Sequence, residues 1–192
     1  MPRMRTTVAA LGVAGATAVS AITVSATAAA APATATPRAT APTMACSAHW
    51  GTNAKQRGSN MITVATRVRA VRAGKHGCFD RLVIDLSGGK LAPFSARYVK
   101  HIVADPSGKV LKVRGRAKIL IVVRGPAGRH YHANAVNLAD VSGFKSFRQV
   151  RGAGSFERVT SIGLGVRARL PFRVSEIGSS QSGWRIVIDV AH

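Results

Sequence analysis

One six-residue pattern occurs twice and sets the frame for the rest of the chain. Arg81-Leu82-Val83-Ile84-Asp85-Leu86 aligns without a gap on Arg185-Ile186-Val187-Ile188-Asp189-Val190, and every position matches in type. An aromatic residue stands just ahead of each copy, Phe79 in one and Trp184 in the other. A short run of aliphatic and β-branched residues between two charges describes a buried strand. The repeat therefore predicts a β domain with internal two-fold character, closed by its own last strand.

The surrounding sequence supports this with period-two alternation and regularly spaced turns. Val64, Thr66, Val68 and Ala70 are placed on one face of a first strand, with Arg67 and Arg69 on the other. Ala73-Gly74-Lys75 and Ser87-Gly88-Gly89-Lys90 are turns flanking the central strand at 79–86. Residues 94–103 alternate again, with Phe94, Ala96, Tyr98 and Ile102 together. Asp105-Pro106-Ser107-Gly108 carries turn chemistry. Strands are expected over 110–113 and 117–124, parted by Arg114-Gly115-Arg116, and then a loop over 125–137. Residues 137–149 could hold one helical turn before a strand around 147–151. Residues 155–165 suggest a glycine-rich strand with a bulge, 171–177 a strand opening on Pro171, and 184–190 the last strand. Eight or nine short strands without a long helix define an all-β fold, a sandwich or small barrel, and the sandwich is preferred here.

The N-terminal region is different. Arg3 and Arg5 precede an apolar run of small residues over 8–24, and Ala26-Thr27-Ala28 is the first Ala-x-Ala site. This is the form of a secretory signal peptide, assigned to 1–31. A transmembrane anchor is the alternative. Its residues are small rather than Leu/Ile-rich, so no membrane span is expected after cleavage. Residues 32–60 are an Ala/Thr/Pro-rich linker and a polar lead-in, and 61–192 form the β domain. Trp50 is expected to pack on the domain near Cys46, with ligand stacking as its alternative use. The expected location is secreted, extracellular or cell-wall associated.

Export bears on the two cysteines. Cys46 and Cys78 form an even pair, which an oxidising compartment joins as a disulfide. Free thiols or a metal pair are the alternatives, although the spacing is too wide for a zinc knuckle.

The charge is extreme. Lys plus Arg number 28 against 7 Asp plus Glu, a formal net charge of +21. Only Arg3 and Arg5 leave with the signal segment, so the mature domain keeps this character. Such a surface attracts polyanions. Arg67, Arg69, Arg72, Lys112, Arg114, Arg116, Lys118, Arg167 and Arg169 are clustered on expected strands and turns. The bland reading is a solvated surface. The functional one is an anion-binding face centred on Arg67, Arg69, Arg114, Arg116, Arg167 and Arg169, because guanidinium forks match carboxylate and phosphate geometry. Nucleic acid fits on charge alone, but export makes it an improbable native partner.

No enzyme motif emerges. There is no Gly-x-Ser-x-Gly elbow, and Gly163-x-Gly165-x-x-Ala168 lacks the helix a dinucleotide loop needs, since Pro171 follows. Asp85 and Asp189 are the obvious carboxylate pair for glycoside chemistry. Each lies four residues after an arginine, so a cross-strand salt bridge or turn cap is the preferred role. His130-x-His132 has no further ligand nearby for a metal. His76 and Asp80 are placed to hold a turn by a hydrogen bond. No cofactor is expected.

Taken in order, His76-Gly77-Cys78-Phe79-Asp80-Arg81, Tyr98-Val99, Gly154-Ser155-Phe156-Glu157, Gly163-Leu164-Gly165, Pro171-Phe172-Arg173-Val174 and the ending Val187-Ile188-Asp189-Val190-Ala191-His192 resemble the AMIN-like domain of secreted proteins and lipoproteins of actinobacteria. The resemblance covers about residues 61–192. The resemblance and the internal repeat together mark His76, Phe79, Asp80, Arg81, Asp85, Phe156, Glu157, Arg173, Arg185 and Asp189 as structural motif positions. Members often carry Asp after the His, where this chain has Gly77. They often carry Gly after Phe-Glu, where this chain has Arg158. The related AMIN domain is a β-sandwich with internal symmetry and a non-catalytic targeting module that binds peptidoglycan. The resemblance thus implies a binding module for peptidoglycan or an anionic wall polymer. A protein-binding or inhibitor domain, partnered with an envelope protein and retained by charge, is the second expectation.

Overall fold

Alternation resolves into eleven strands in the computed structural model, which describes Cys46, residues 49–58 and residues 65–192. These residues fall within the unit Thr43–His192. The expected signal segment, most of the linker and Val64 lie outside the described residues. In chain order the strands are β1 Lys55–Arg57, β2 Arg67–Lys75, β3 Phe79–Ser87, β4 Phe94–Val99, β5 Ile102–Val103 and β6 Val110–Leu111, followed by β7 Ala117–Val123, β8 Phe147–Phe156, β9 Val159–Val166, β10 Phe172–Ser179 and β11 Gly183–Ala191. The count exceeds the expected eight or nine because β1, β5 and β6 are pieces of two or three residues.

Two antiparallel sheets face each other. One has the order β1-β4-β7-β9-β8, the other β10-β11-β3-β2, and β5 pairs with β6 apart from both. Their inner faces share one core. Leu82, Ile84, Ile186 and Ile188 come from the four-stranded sheet, and Ile119, Ile121, Ile162 and Leu164 from the five-stranded sheet, all fully buried. Burying each such side chain stabilises the fold by about 1.5–3 kcal/mol. The repeated strands β3 and β11 are antiparallel neighbours in the middle of their sheet. The last strand completes this sheet from within, between β10 and β3. Buried on both faces, it reads as a continuous apolar run.

The register gives the two-fold a physical form. Val83 lies opposite Val187, and stepping two residues either way places Arg81 opposite Asp189 and Arg185 opposite Asp85. Each copy thus offers its arginine to the other copy's aspartate.

Several local expectations are revised. A bulge at Arg69 shifts the β2 register between Val68 and Ala70. Beyond it Val71 and Ala73 pack on the core while Ala70 lies opposite Asp85, so Ala70 leaves the face expected for it. The run over 94–103 breaks after Val99, and Ile102 joins Val113 and Ala153 in a second, small apolar cluster. Gly163 makes room there, because a Cβ would approach two Ile102 carbons at 3.0 Å. The expected strand over 110–113 shortens to β6. No helical turn forms over 137–149; the segment crosses the β8 edge, with Leu138 N bonded to Val150 O and Gly152 N to Ala135 O. This covers an edge that would otherwise expose unpaired main chain. Residues 155–165 are not one strand but the end of β8, a two-residue turn at Glu157 and Arg158, and β9. Both turn residues have positive φ, 47° and 65°, the conformation that hairpins of this length require.

Main-chain bonds tie the sheets together at their sides. Val68 N donates to Pro126 O and Gly128 N to Val68 O, joining β2 to the loop after β7. On the opposite side Phe172 N donates to Gly51 O, and Arg57 pairs with Glu176 at 3.3 Å. The disulfide Cys46–Cys78 anchors the lead-in to the start of β3. For a loop of this length the chain-entropy model gives roughly 3–4 kcal/mol.

Candidate functional site

The repeated arginine–aspartate pairs sit on the outer face of the four-stranded sheet, one towards each end. They have different fates. At the end near the disulfide, Arg81 donates through Nε and Nη2 to the two carboxylate oxygens of Asp189 at 2.7 and 2.9 Å. Arg173, directly opposite on β10, donates through Nε at 2.9 Å. The Asp189 side chain is completely buried under these two cations. The bond to Asp189 holds the Arg81 guanidinium above its ordinary pKa.

Aromatic rings complete this cluster. Arg173 lies 4.3 Å from the Trp50 ring centroid and 5.4 Å from that of Phe79, while Arg81 lies 5.1 Å from Phe79. Trp50 meets Phe79 edge-on at 5.7 Å, and His76 stacks on Phe79 at 4.5 Å. Cation–ring contacts of this kind contribute about 0.5–1 kcal/mol each at partly exposed sites. Trp50 therefore packs on the domain, as a lid over a saturated ion-pair cluster. His76 does not reach Asp80 as expected; its partner is the Phe79 ring. Asp80 is buried and accepts from the main-chain N–H of Ser146 at 2.5 Å and of Phe147 at 3.2 Å, with His192 Nε2 3.9 Å away. It pins the start of β8 and the chain end to β3.

The other end is open. Asp85 accepts two bonds from Arg72 on β2, at 2.8 and 3.0 Å, and the main cause of the raised Arg72 pKa is this bond. Arg185 stands opposite Asp85 in register but forms no hydrogen bond or ion pair with any described residue. Among the described residues no aromatic lid covers this end. A groove of about 660 Å³ occupies the place, lined by Arg69, Arg72, Asp85, Arg185, Trp184 and the turns at 87–89 and 180–183.

A third basic feature lies at the end of the five-stranded sheet. Arg116, Arg148 and Arg167, with Gly115 and Ala168, surround a groove of about 520 Å³ that no carboxylate lines. Arg148 is held by main chain. Its Nη1 donates to Phe147 O at 2.7 Å, with Phe144 O at 3.1 Å and Lys145 O at 3.3 Å beside it. Arg114 lines the adjoining grooves with Arg148 and Asp140.

The six arginines singled out from sequence are thus dispersed. Arg116 and Arg167 meet, Arg114 is beside them, and Arg67 and Arg69 lie on β2 of the other sheet. Arg169 stacks on Tyr98 at 4.7 Å. Arg148 was missed because it sits in the segment whose structure was ambiguous. Arg185 was noticed only as a motif position. Phe156 and Glu157 are at the β8–β9 hairpin, with no bond or ring contact to His76. Among the described residues no group of three or more His, Cys, Asp or Glu side chains comes together, and no helix is long and apolar enough to cross a membrane.

An antiparallel two-sheet domain with a duplicated central strand, a disulfide-tied lead-in and a carboxylate-free arginine groove defines a class of small basic β modules. The AMIN-like domain model matches residues 66–192, and the chain belongs to that family. No curated protein and no solved structure matches the chain. Family and disulfide together suggest an extracytoplasmic domain.

Proposed function

We propose that this protein is a secreted, non-catalytic cell-envelope module that associates with peptidoglycan and its attached anionic polymers through its basic faces. The observation that carries the reading is the groove of Arg116, Arg148 and Arg167. Three guanidinium groups share one concavity with no carboxylate among its lining residues. Self-repulsion of this kind is relieved by a bound polyanion. Holding Arg148 by main-chain carbonyls reduces the entropy lost on binding. Elsewhere Arg57, Arg72, Arg81 and Arg173 pair with carboxylates. The family supports the direction, since an AMIN-like domain suggests a peptidoglycan-associated role.

The test is titration of a purified anionic wall polymer into the mature protein over a range of salt. Wild type is expected to lose affinity steeply as salt rises. The variant with Arg116, Arg148 and Arg167 all changed to Gln is expected to bind at least about tenfold more weakly at low salt. Equal binding by both proteins would remove this groove from the account.

A further inference from the structure

The two ends of the duplicated strand pair invite direct comparison, because the local two-fold makes them chemical equivalents. At the closed end, one carboxylate is gripped by two arginines and covered by Trp50 and Phe79. At the open end, among the described residues, Asp85 is satisfied by Arg72 alone, and Arg185, the equivalent of Arg81, has no ion-pair or hydrogen-bond partner. Arg69, thrown outward by the β2 bulge, lines the same groove. The open end therefore has three arginines to one carboxylate, with room of about 660 Å³ where the closed end has its lid.

We propose that this groove binds the C-terminal carboxylate of a short peptide, seated on Arg185 and Arg69. The fold itself demonstrates the chemistry: on the same sheet face, at the symmetry-related position, a carboxylate is what the arginine takes. The lining favours a single carboxylate over a polyphosphate chain, since Asp85 stays within the groove and repels dense negative charge. The groove is otherwise polar. Ser180, Gln181, Ser182 and the main chain of Gly88 and Gly89 supply donors and acceptors suited to peptide amides. On the wall-module reading, which this deepens, the native source is the stem peptide of peptidoglycan. The groove is distinct from the Arg116–Arg148–Arg167 groove on the other sheet.

The probe is an N-acetylated D-alanyl-D-alanine dipeptide, compared with its C-terminal amide. Binding is followed by NMR, because the chain has only two tryptophans, Trp184 in the groove and Trp50 in the closed cluster. The dipeptide is expected to shift the Trp184 indole N–H and leave that of Trp50 in place. The amide is expected to bind at least about tenfold more weakly, as is the dipeptide to Arg185→Gln. Arg185→Lys, which keeps the charge but loses the fork, should fall between. No perturbation at about 10 mM dipeptide, equal binding of the amide, an unaffected Arg185→Gln variant or shifts centred on Trp50 would each overturn the proposal. Pelleting with purified walls in parallel separates the two readings. Wall binding without dipeptide binding removes the groove and leaves the module. Dipeptide binding without wall binding keeps the groove and removes its assigned source.

Discussion

Asp189 is a completely buried carboxylate on a chain with very few acids, and two arginines account for it. Removing its charge would leave both guanidinium groups facing each other beneath Trp50 and Phe79. Breaking a buried pair from one side costs about 3–5 kcal/mol. Arg81 and Arg173 reach water in part, so Asp189→Asn is expected at the lower end, about 3 kcal/mol. Asp85 differs, because Arg72 is more than half exposed. Asp85→Asn is expected to cost about 1 kcal/mol or less. Urea denaturation of both variants at unchanged slope checks the contrast. Equal losses would mean that the two copies of the repeat are stabilised alike. In the sequence, the repeat suggested a cross-strand salt bridge or a turn cap for both aspartates, and both form salt bridges. Which arginine each would take depends on strand order: Asp189 takes Arg81 from β3 and Arg173 from β10, and Asp85 takes Arg72 from β2.

The hairpin between β8 and β9 shows why some elements were legible and others not. The sequence suggested a single glycine-rich strand over 155–165, because the turn Phe156-Glu157-Arg158-Val159 contains no glycine or proline to announce it. Both central residues nevertheless adopt positive φ. The glycine that family members often carry after Phe-Glu falls at the Arg158 position, where φ is 65°. That preference is a backbone requirement, since only glycine takes this conformation without a Cβ penalty. Arg158→Gly is therefore expected to stabilise the fold by about 0.5–1 kcal/mol, read as a rise in the denaturation midpoint. A loss of stability would mean that the Arg158 side chain contributes more than the turn costs. The β2 bulge and the break after Val99 were hidden for a related reason. A one-residue slip and a two-residue strand leave no mark on apolar periodicity, and both are decided by neighbouring strands. Gly165, half of an apparent dinucleotide fingerprint, is there for packing: a Cβ would collide with the Arg114 carbonyl oxygen.

At the scale of the whole molecule, net charge indicated a polyanion partner, and the sequence placed basic clusters on strands and turns without saying which of them meet. Folding divides that charge among sites of different character. Arg81 and Arg173 share the carboxylate of Asp189 in a lidded cluster; Arg116, Arg148 and Arg167 surround a groove without acids; Arg69 and Arg185 flank the open end of the repeat. Sequence separation conceals this, because Arg148 joins Arg116 and Arg167 only through the pairing of β8, β9 and β7. The measurement that tests the central claim most directly is co-sedimentation of the oxidised mature protein with purified cell walls. Intact walls and walls stripped of anionic polymers are each compared at low and high salt. The account predicts strong pelleting with intact walls at low salt and a large loss at high salt. Weaker pelleting with stripped walls is expected to depend on Arg185. Absence of pelleting with either wall preparation at low salt would contradict the account.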